Sequence, residues 1–240
     1  MLAVRNINCF YGDVQVLRDV SFTLAAGEVL CLLGRNGAGK TTALKAIMGL
    51  LPVRSGQVVL EDTDLTSLLP HQVPKHGIAY VPQGRRLFAN LSVAENLEIG
   101  LLPRGGGEDV RQEVLALFPA LRSRLDQRSG TLSGGEQQML SMARALCIRP
   151  RAILLDEPSE GLMPAMIARI CATIGQLKST GVATLLVEQR IEIVLATADR
   201  VVFIENGRVR DMLAIEALRS NPALLERYVG VGLSRSGGIS

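Results

Sequence analysis

The run Val29-Leu30-Cys31-Leu32-Leu33 leads without a break into Gly34-Arg35-Asn36-Gly37-Ala38-Gly39-Lys40-Thr41-Thr42, and this junction constrains the fold more than any other stretch. Five apolar residues in a row read as a strand buried on both faces, the kind found in parallel sheets. Two glycines, a Lys and a Thr then fall at the spacing of a phosphate loop. The glycines let backbone N–H groups converge on phosphate oxygens without side-chain clash, Lys40 adds a point charge, and Thr41 offers a hydroxyl to Mg²⁺. Thr42 to Leu50 continues as a helix with Leu44, Ile47 and Met48 on one side, and its positive end faces the anion. Gly34, Asn36, Gly37, Ala38, Gly39, Lys40, Thr41 and Thr42 are therefore the candidate nucleotide-binding residues.

The rest of the chain gives that loop a setting. At 240 residues and 48% apolar content the expectation is one compact, well-packed unit. A formal charge of +3, spread along the sequence, gives no argument for nucleic acid. The apolar runs are strand-sized, short of the roughly 20 residues that span a bilayer. No signal-type apolar segment opens the sequence, so a soluble, cytosolic protein is expected. Cys9, Cys31, Cys147 and Cys171 lie far apart and form no CxxC pair, which argues against a metal cluster or redox motif and for buried apolar roles. His71 and His76 sit in a proline-bearing, loop-like stretch and read as surface residues.

Leu2 to Cys9 and Val16 to Leu24 alternate as half-exposed antiparallel strands do, broken at Tyr11-Gly12-Asp13. Tyr11, one of few aromatic residues, either stacks on a purine base or packs at a strand end. Pro52 to Gly56 reads as a turn, Gln57 to Leu60 as a short strand, and Gly77 to Pro82 as another strand ending at Gln83. The Gln83 amide oxygen there can reach Mg²⁺ or an attacking water, or can be an ordinary polar loop group. From Gly84 to about Leu146 the pattern is helical, an inserted lobe whose last helix opens at Leu132-Ser133-Gly134-Gly135-Glu136. Ser133 and Glu136 have capping-box spacing. Gly134 and Gly135 cost that helix about 1 kcal/mol each relative to Ala, a cost explained if bare backbone must approach a phosphate.

Ala152-Ile153-Leu154-Leu155 is a second buried strand and ends in Asp156-Glu157-Pro158. Ligands bind at this edge of open α/β sheets. Asp156 would hold Mg²⁺ through its water shell, and Glu157 could polarise the attacking water. Met166 to Leu177 and Ile191 to Ala198 read as helices, Ala183 to Val187 as a strand reaching Glu188-Gln189, and Val201 to Glu205 with Arg208 to Met212 as a hairpin turning at Asn206-Gly207. Helices are expected around Ile215 to Arg219 and Pro222 to Tyr228, with a frayed tail from Gly232 to Ser240.

In order and wording the phosphate loop, Gln83, Leu132-Ser133-Gly134-Gly135-Glu136 and Ile153-Leu154-Leu155-Asp156-Glu157-Pro158 resemble the ATP-binding subunit of an ABC transporter, over about Leu2 to Gly230. The resemblance implies an α/β fold with a P-loop NTPase (RecA-like) core, an antiparallel β subdomain and an inserted helical subdomain. In residue terms that is a single domain over 1–230, with catalytic core 1–83 and 147–230, lobe 84–146 and a flexible tail 231–240. It implies an ATP hydrolase using Mg²⁺, held by Thr41, Gln83 and Asp156. Two subunits would sit head to tail, with each ATP between one phosphate loop and Ser133, Gly134 and Gly135 of the other. By the same likeness Tyr11 stacks on adenine, Glu157 is the catalytic carboxylate, and Gln83 senses Mg²⁺ and the membrane partner.

Tyr80-Val81-Pro82-Gln83-Gly84-Arg85-Arg86-Leu87-Phe88, Leu117-Phe118-Pro119, Gln137-Gln138-Met139-Leu140 and Val187-Glu188-Gln189 are similar to the smaller ATPase subunit of branched-chain amino acid importers. Urea and short-chain amide importers share much of this wording. The implied partners are a second ATPase subunit, identical or related, two membrane permeases and, indirectly, an extracytoplasmic solute-binding protein. The implied location is peripheral, on the cytoplasmic face of the inner membrane. Two positions depart from the wider superfamily. Gln189 stands where a His contacts the γ-phosphate; its amide can donate a hydrogen bond but cannot carry a proton-linked charge. Met163 stands where many relatives have an Asp reaching across the dimer. A soluble ABC ATPase without a transport role, and a nucleotide-binding regulator that no longer hydrolyses, are the alternatives from other classes.

Overall fold

In the computed structural model of the chain, residues 1–221 are described; the helix expected at Pro222 to Tyr228 and the tail expected from Gly232 to Ser240 lie outside them. The chain opens with β1 (Leu2–Tyr11), β2 (Val14–Leu24) and β3 (Val29–Leu33), then α1 (Lys40–Ile47), β4 (Val53–Leu60), β5 (Thr63–Asp64) and β6 (Ile78–Val81). Four helices follow, α2 (Val93–Leu101), α3 (Glu108–Leu117), α4 (Pro119–Arg122) and α5 (Gly134–Leu146). Strands and helices then alternate as β7 (Ala152–Asp156), α6 (Pro164–Ser179), β8 (Ala183–Val187), α7 (Ile191–Thr197), β9 (Arg200–Glu205), β10 (Arg208–Ala214) and α8 (Ile215–Ser220).

Two sheets result. The first is antiparallel, in the order β2-β1-β4-β5, and the second runs β10-β9-β3-β8-β7-β6 with only β10 antiparallel to its neighbour. The apolar run of β3 is central, and it is apolar throughout because it has two cores to fill. Val29, Cys31 and Leu33 face one cluster with the helices around α5, while Leu30 and Leu32 face another with α1 and the antiparallel sheet. In β7, Ile153 and Leu155 join the first cluster, Ala152 and Leu154 the second. Alternation of side chains in a strand covered on both faces produces this division.

Elements begin and end where local chemistry dictates. Ser92 and Ser133 accept from the backbone of Glu95 and Glu136, and both glutamates reach back to the serine N–H, so α2 and α5 each start at a complete capping box. Pro164 fits the first turn of α6, which starts two residues before the expected Met166. His71 and His76 are exposed, as expected. All four cysteines are unbridged; Cys9, Cys31 and Cys147 are buried as expected while Cys171, on α6, is only partly so, and burial pushes the Cys9 thiol up to about 11 and that of Cys147 to about 12.

One expectation is overturned. The segment Pro52 to Gly56 is not a turn before a short strand: β4 starts at Val53 and pairs with β1, Val53 opposite Cys9 and Ser55 opposite Asn8, with an irregularity before Gln57 meets Arg5. The proline and glycine that suggest a turn mark the strand's entry and this bulge. Gly56 has φ +95°, and a Cβ there would stand 2.3 Å from the Asn6 carbonyl oxygen and 2.5 Å from that of Arg5. Both obstacles are backbone and cannot swing away. Gly56→Ala should therefore cost about 1–3 kcal/mol, seen as a lower urea midpoint at unchanged slope; an unchanged midpoint would contradict this register.

Candidate nucleotide site

The phosphate loop joins β3 to α1 and is shaped by close approaches. A Cβ on Gly34 would lie 2.1 Å from the Ile204 carbonyl oxygen, so only glycine lets the loop leave β3 against β9. Gly39, at φ +112°, is the N-cap of α1, and its Cβ would stand 2.9 Å from Leu17 Cδ2. Lys40, 6% exposed, folds back so that Nζ donates to the carbonyls of Gly34 (2.7 Å) and Arg35 (3.1 Å). Burial pulls this ammonium below its ordinary pKa, and the nearby Glu157 and Asp156 pull it back up.

Asp156 ends β7, separated from β3 by β8 alone. It is 1% exposed and accepts from Thr41 Oγ1 at 3.0 Å and Tyr80 OH at 3.2 Å. Burial raises its pKa above the ordinary carboxylate range although both hydrogen bonds act to lower it. The neighbouring Glu157 charge acts in the same direction as burial. The Tyr80 phenol is pushed up as well, by burial first and then by Asp156.

Glu157 turns the other way, at φ +48°, into the loop's cavity. Its Oε1 accepts from Gln189 Nε2 at 2.6 Å and its Oε2 from Gln83 Nε2 at 3.3 Å; the Gln83 amide also donates to Glu160 at 3.1 Å. A cavity of about 530 Å³ is lined by Asn36 to Thr42 together with Gln83, Glu157, Glu160 and Gln189. It is a concave site rimmed by backbone N–H groups, one ammonium and two carboxylates. The Thr41 hydroxyl and Asp156 carboxylate, already in contact, are hard oxygen ligands of the kind Mg²⁺ takes alongside phosphate oxygens. Among the described residues no group of three or more His, Cys, Asp and Glu is placed to hold a metal ion by itself.

Residues 17–160 match the ABC transporter family. The chain belongs to that family as an ATP-hydrolysing subunit. It is 42% identical to the high-affinity branched-chain amino acid transport ATP-binding protein BraG of Pseudomonas aeruginosa, over 96% of this chain and 100% of that one. It is 35% identical to the lipopolysaccharide export system ATP-binding protein LptB of Acidithiobacillus ferridurans, over 96% and 97%. A solved dimeric ATP-binding cassette in a post-hydrolysis state, bound to ADP and Pi, superposes with a TM-score of 0.79 at 26% identity, covering 90% of this chain and 99% of that chain.

Not every expected residue of this ABC cassette meets at the cavity. Gly34 and the buried Asp156 lie behind its lining residues, and Tyr11, 46% exposed at the end of β1, is not among them; Ser133, Gly134 and Gly135, expected to serve a second subunit's nucleotide, are not among them either. Three contributors escaped the sequence reading. Tyr80 holds Asp156, and Glu160 shares the Gln83 amide. Glu188, 3% exposed, accepts from Ser159 Oγ (2.6 Å) and from the backbone N–H groups of Gln189 (2.8 Å) and Arg190 (3.1 Å). This buried carboxylate braces the acidic loop against the segment carrying Gln189. The only signal in the sequence is the position of Tyr80 and Glu188 at strand ends beside named motifs.

A carboxyl with a raised folded pKa binds more protons folded than unfolded. Its contribution to stability is full below the unfolded pKa and is lost as pH rises through the folded pKa. Asp156 is such a group. In nucleotide-free protein, Asp156→Asn should therefore match the parent at acid pH and become the more stable of the two as pH rises to 8, by chemical denaturation at each pH. A variant less stable than the parent at pH 8 would show that the ionised carboxylate is a net structural asset.

Proposed function

We propose that this cassette powers uptake of branched-chain amino acids through membrane permeases, with Glu157 as the group that polarises the attacking water. The observation that carries the mechanism is Glu157 held between the Gln83 and Gln189 amides at the mouth of the phosphate-loop cavity. The loop amides of Asn36 to Thr42 would cradle the phosphates, and Lys40 Nζ would exchange its carbonyl partners for phosphate oxygens. Thr41 and Asp156 would hold Mg²⁺ with Gln83 nearby, and the bound ion would neutralise charge on the transferring phosphoryl group. Glu157 takes the water's proton in part as the bond forms, and the two amides orient it without carrying charge of their own. Tyr11 would supply a face for the adenine.

The partition of the expected residues supports a shared site. One chain presents the loop and Glu157 at one cavity, with Asp156 behind Thr41, and Ser133, Gly134 and Gly135 elsewhere. A second cassette, identical or related, would bring its glycines to the open side of this nucleotide. The segments 1–83 and 147–221 would serve as the catalytic core and 84–146 as the lobe; the rest of the expected core, 222–230, lies outside the described residues. An apolar groove of about 350 Å³, lined by Tyr80, Pro82, Phe88, Ile99, Pro103 and Ile148 among others, would receive a permease segment. No helix among the described residues is long and apolar enough to cross a membrane, so attachment to the cytoplasmic face would come through such contacts. The 42% identity to BraG over nearly the whole chain favours branched-chain amino acids as the solute class; lipopolysaccharide export, favoured by the 35% identity to LptB, is the second reading.

Glu157→Gln should keep ATP binding and ATP-driven dimer formation while slowing steady-state hydrolysis on the order of a hundredfold or more, the scale of a lost positioned base. Hydrolysis at the parent rate would remove Glu157 from the chemistry. For the solute, deleting the gene should abolish high-affinity uptake of labelled leucine, isoleucine and valine and leave surface lipopolysaccharide intact. The reverse pattern would assign the cassette to export.

A further inference from the structure

The loop that follows Gln83 is bound to α5 at two places. Gly84, Arg85 and Arg86 all have positive φ, at +78°, +66° and +48°. For the two arginines that conformation costs about 1–2 kcal/mol each. It is held from α5: Ser141 Oγ donates to the Arg85 carbonyl and Arg144 Nη2 to the Arg86 carbonyl, both at 2.8 Å. The Arg85 side chain then runs back about two turns to the start of the same helix. There Nη1 donates to Gln137 Oε1 at 3.3 Å, and the guanidinium lies over Gly134, its Nη2 2.9 Å and its Cζ 3.3 Å from the place a Cβ would occupy.

Gly135 is covered from another direction. Met166, in the first turn of α6, has Cγ 2.6 Å, Cε 2.7 Å and Sδ 3.1 Å from the corresponding Cβ position. α6 directly follows the loop that carries Glu157 and Glu160, the two carboxylates bonded to the Gln83 amide. Both sides of the Gln83–carboxylate contact thus end on the paired glycines, through Arg85 on one side and Met166 on the other. The missing β-carbons make room for this chain's own side chains, a second reason for two glycines at the start of a helix.

We infer that Arg85 and Met166 are positioning residues that clamp Gly134 and Gly135 and set the edge of α5 that closes the partner's ATP site. This rests on the shared-site reading above. It gives the chain an internal route from its own Gln83 and Glu157 to the surface offered to the partner. Met163, 74% exposed just before α6, offers no polar group for that purpose. Met166 acts by volume, Arg85 by a planar guanidinium that a Lys ammonium only partly replaces.

The test uses the full chain carrying Glu157→Gln, in which ATP-driven dimers persist, with association followed by sedimentation across an ATP titration. Adding Arg85→Ala should raise the ATP concentration for half-maximal dimer about tenfold, the scale of one lost charge-assisted contact. Arg85→Lys should fall between, Met166→Ala should raise it about threefold, and Met166→Leu, which conserves volume, should stay near the parent. ATP affinity of the dilute monomer should not move in any of them, and the thermal midpoint should not move in the Arg85 variants, while Met166→Ala lowers it through lost packing. Unchanged dimerisation of Arg85→Ala in a parent that dimerises overturns the inference alone. So does a fall in monomer affinity and thermal midpoint together with dimerisation, the mark of a merely structural role, and Arg85→Lys reports on this even where the alanine variant folds poorly. A Glu157→Gln parent that forms no dimer with ATP overturns the shared-site reading, and the inference with it.

Discussion

The buried contact between Thr41 and Asp156 is the interaction on which the arrangement depends. It ties the start of α1 to the end of β7 across β8 and so fixes the phosphate loop relative to the acidic strand end. The contact is not there to stabilise the empty protein. With Asp156 almost wholly buried, burial outweighs the bonds from Thr41 and Tyr80 and raises the carboxyl's pKa. A poorly solvated carboxylate beside a hydroxyl costs stability, and in the proposed function it would keep oxygen ligands ready for Mg²⁺.

Lys40 follows the same logic with opposite charge. Its ammonium is buried, is satisfied for now by two loop carbonyls, and is desolvated enough for its pKa to fall. Both groups are poorly hydrated in advance, so a phosphate entering the cavity would displace little water from them, although Lys40 must first leave its two carbonyls. Glu157 sits in a wetter position, and its geometry comes from amides. With Gln189 where a His would stand in many relatives, Glu157 has two neutral donors around it, so its orientation is insensitive to any imidazole titration.

The glycines of α5 carry two demands at once. In sequence they are an energetic cost at a helix start, and their surroundings add Arg85 and Met166 to the reason for paying it. Gly56 is a simpler case, in which neighbouring carbonyls forbid a β-carbon and the residue reads misleadingly as a turn. In both, the decisive neighbour lies far away in sequence.

What the sequence determined by itself was local: the apolar runs of β3, β7 and β8, the phosphate loop, the capping box at Ser133 and the acidic pair at 156 and 157. Each is set by periodicity, capping or backbone freedom within a few residues, and each is where it was expected. Gln83 and Gln189 could be named as candidates because they follow strands, but not joined, since nothing local says that two amides 106 positions apart share one carboxylate. Tertiary structure alone decided that meeting, the roles of Tyr80, Glu160 and Glu188, and the extension of β4 through Gly56. The physical reason is common to all of these: hydrogen bonds and close contacts depend on which strand ends the sheet order brings side by side, and that order is a property of the packed chain, not of any one segment.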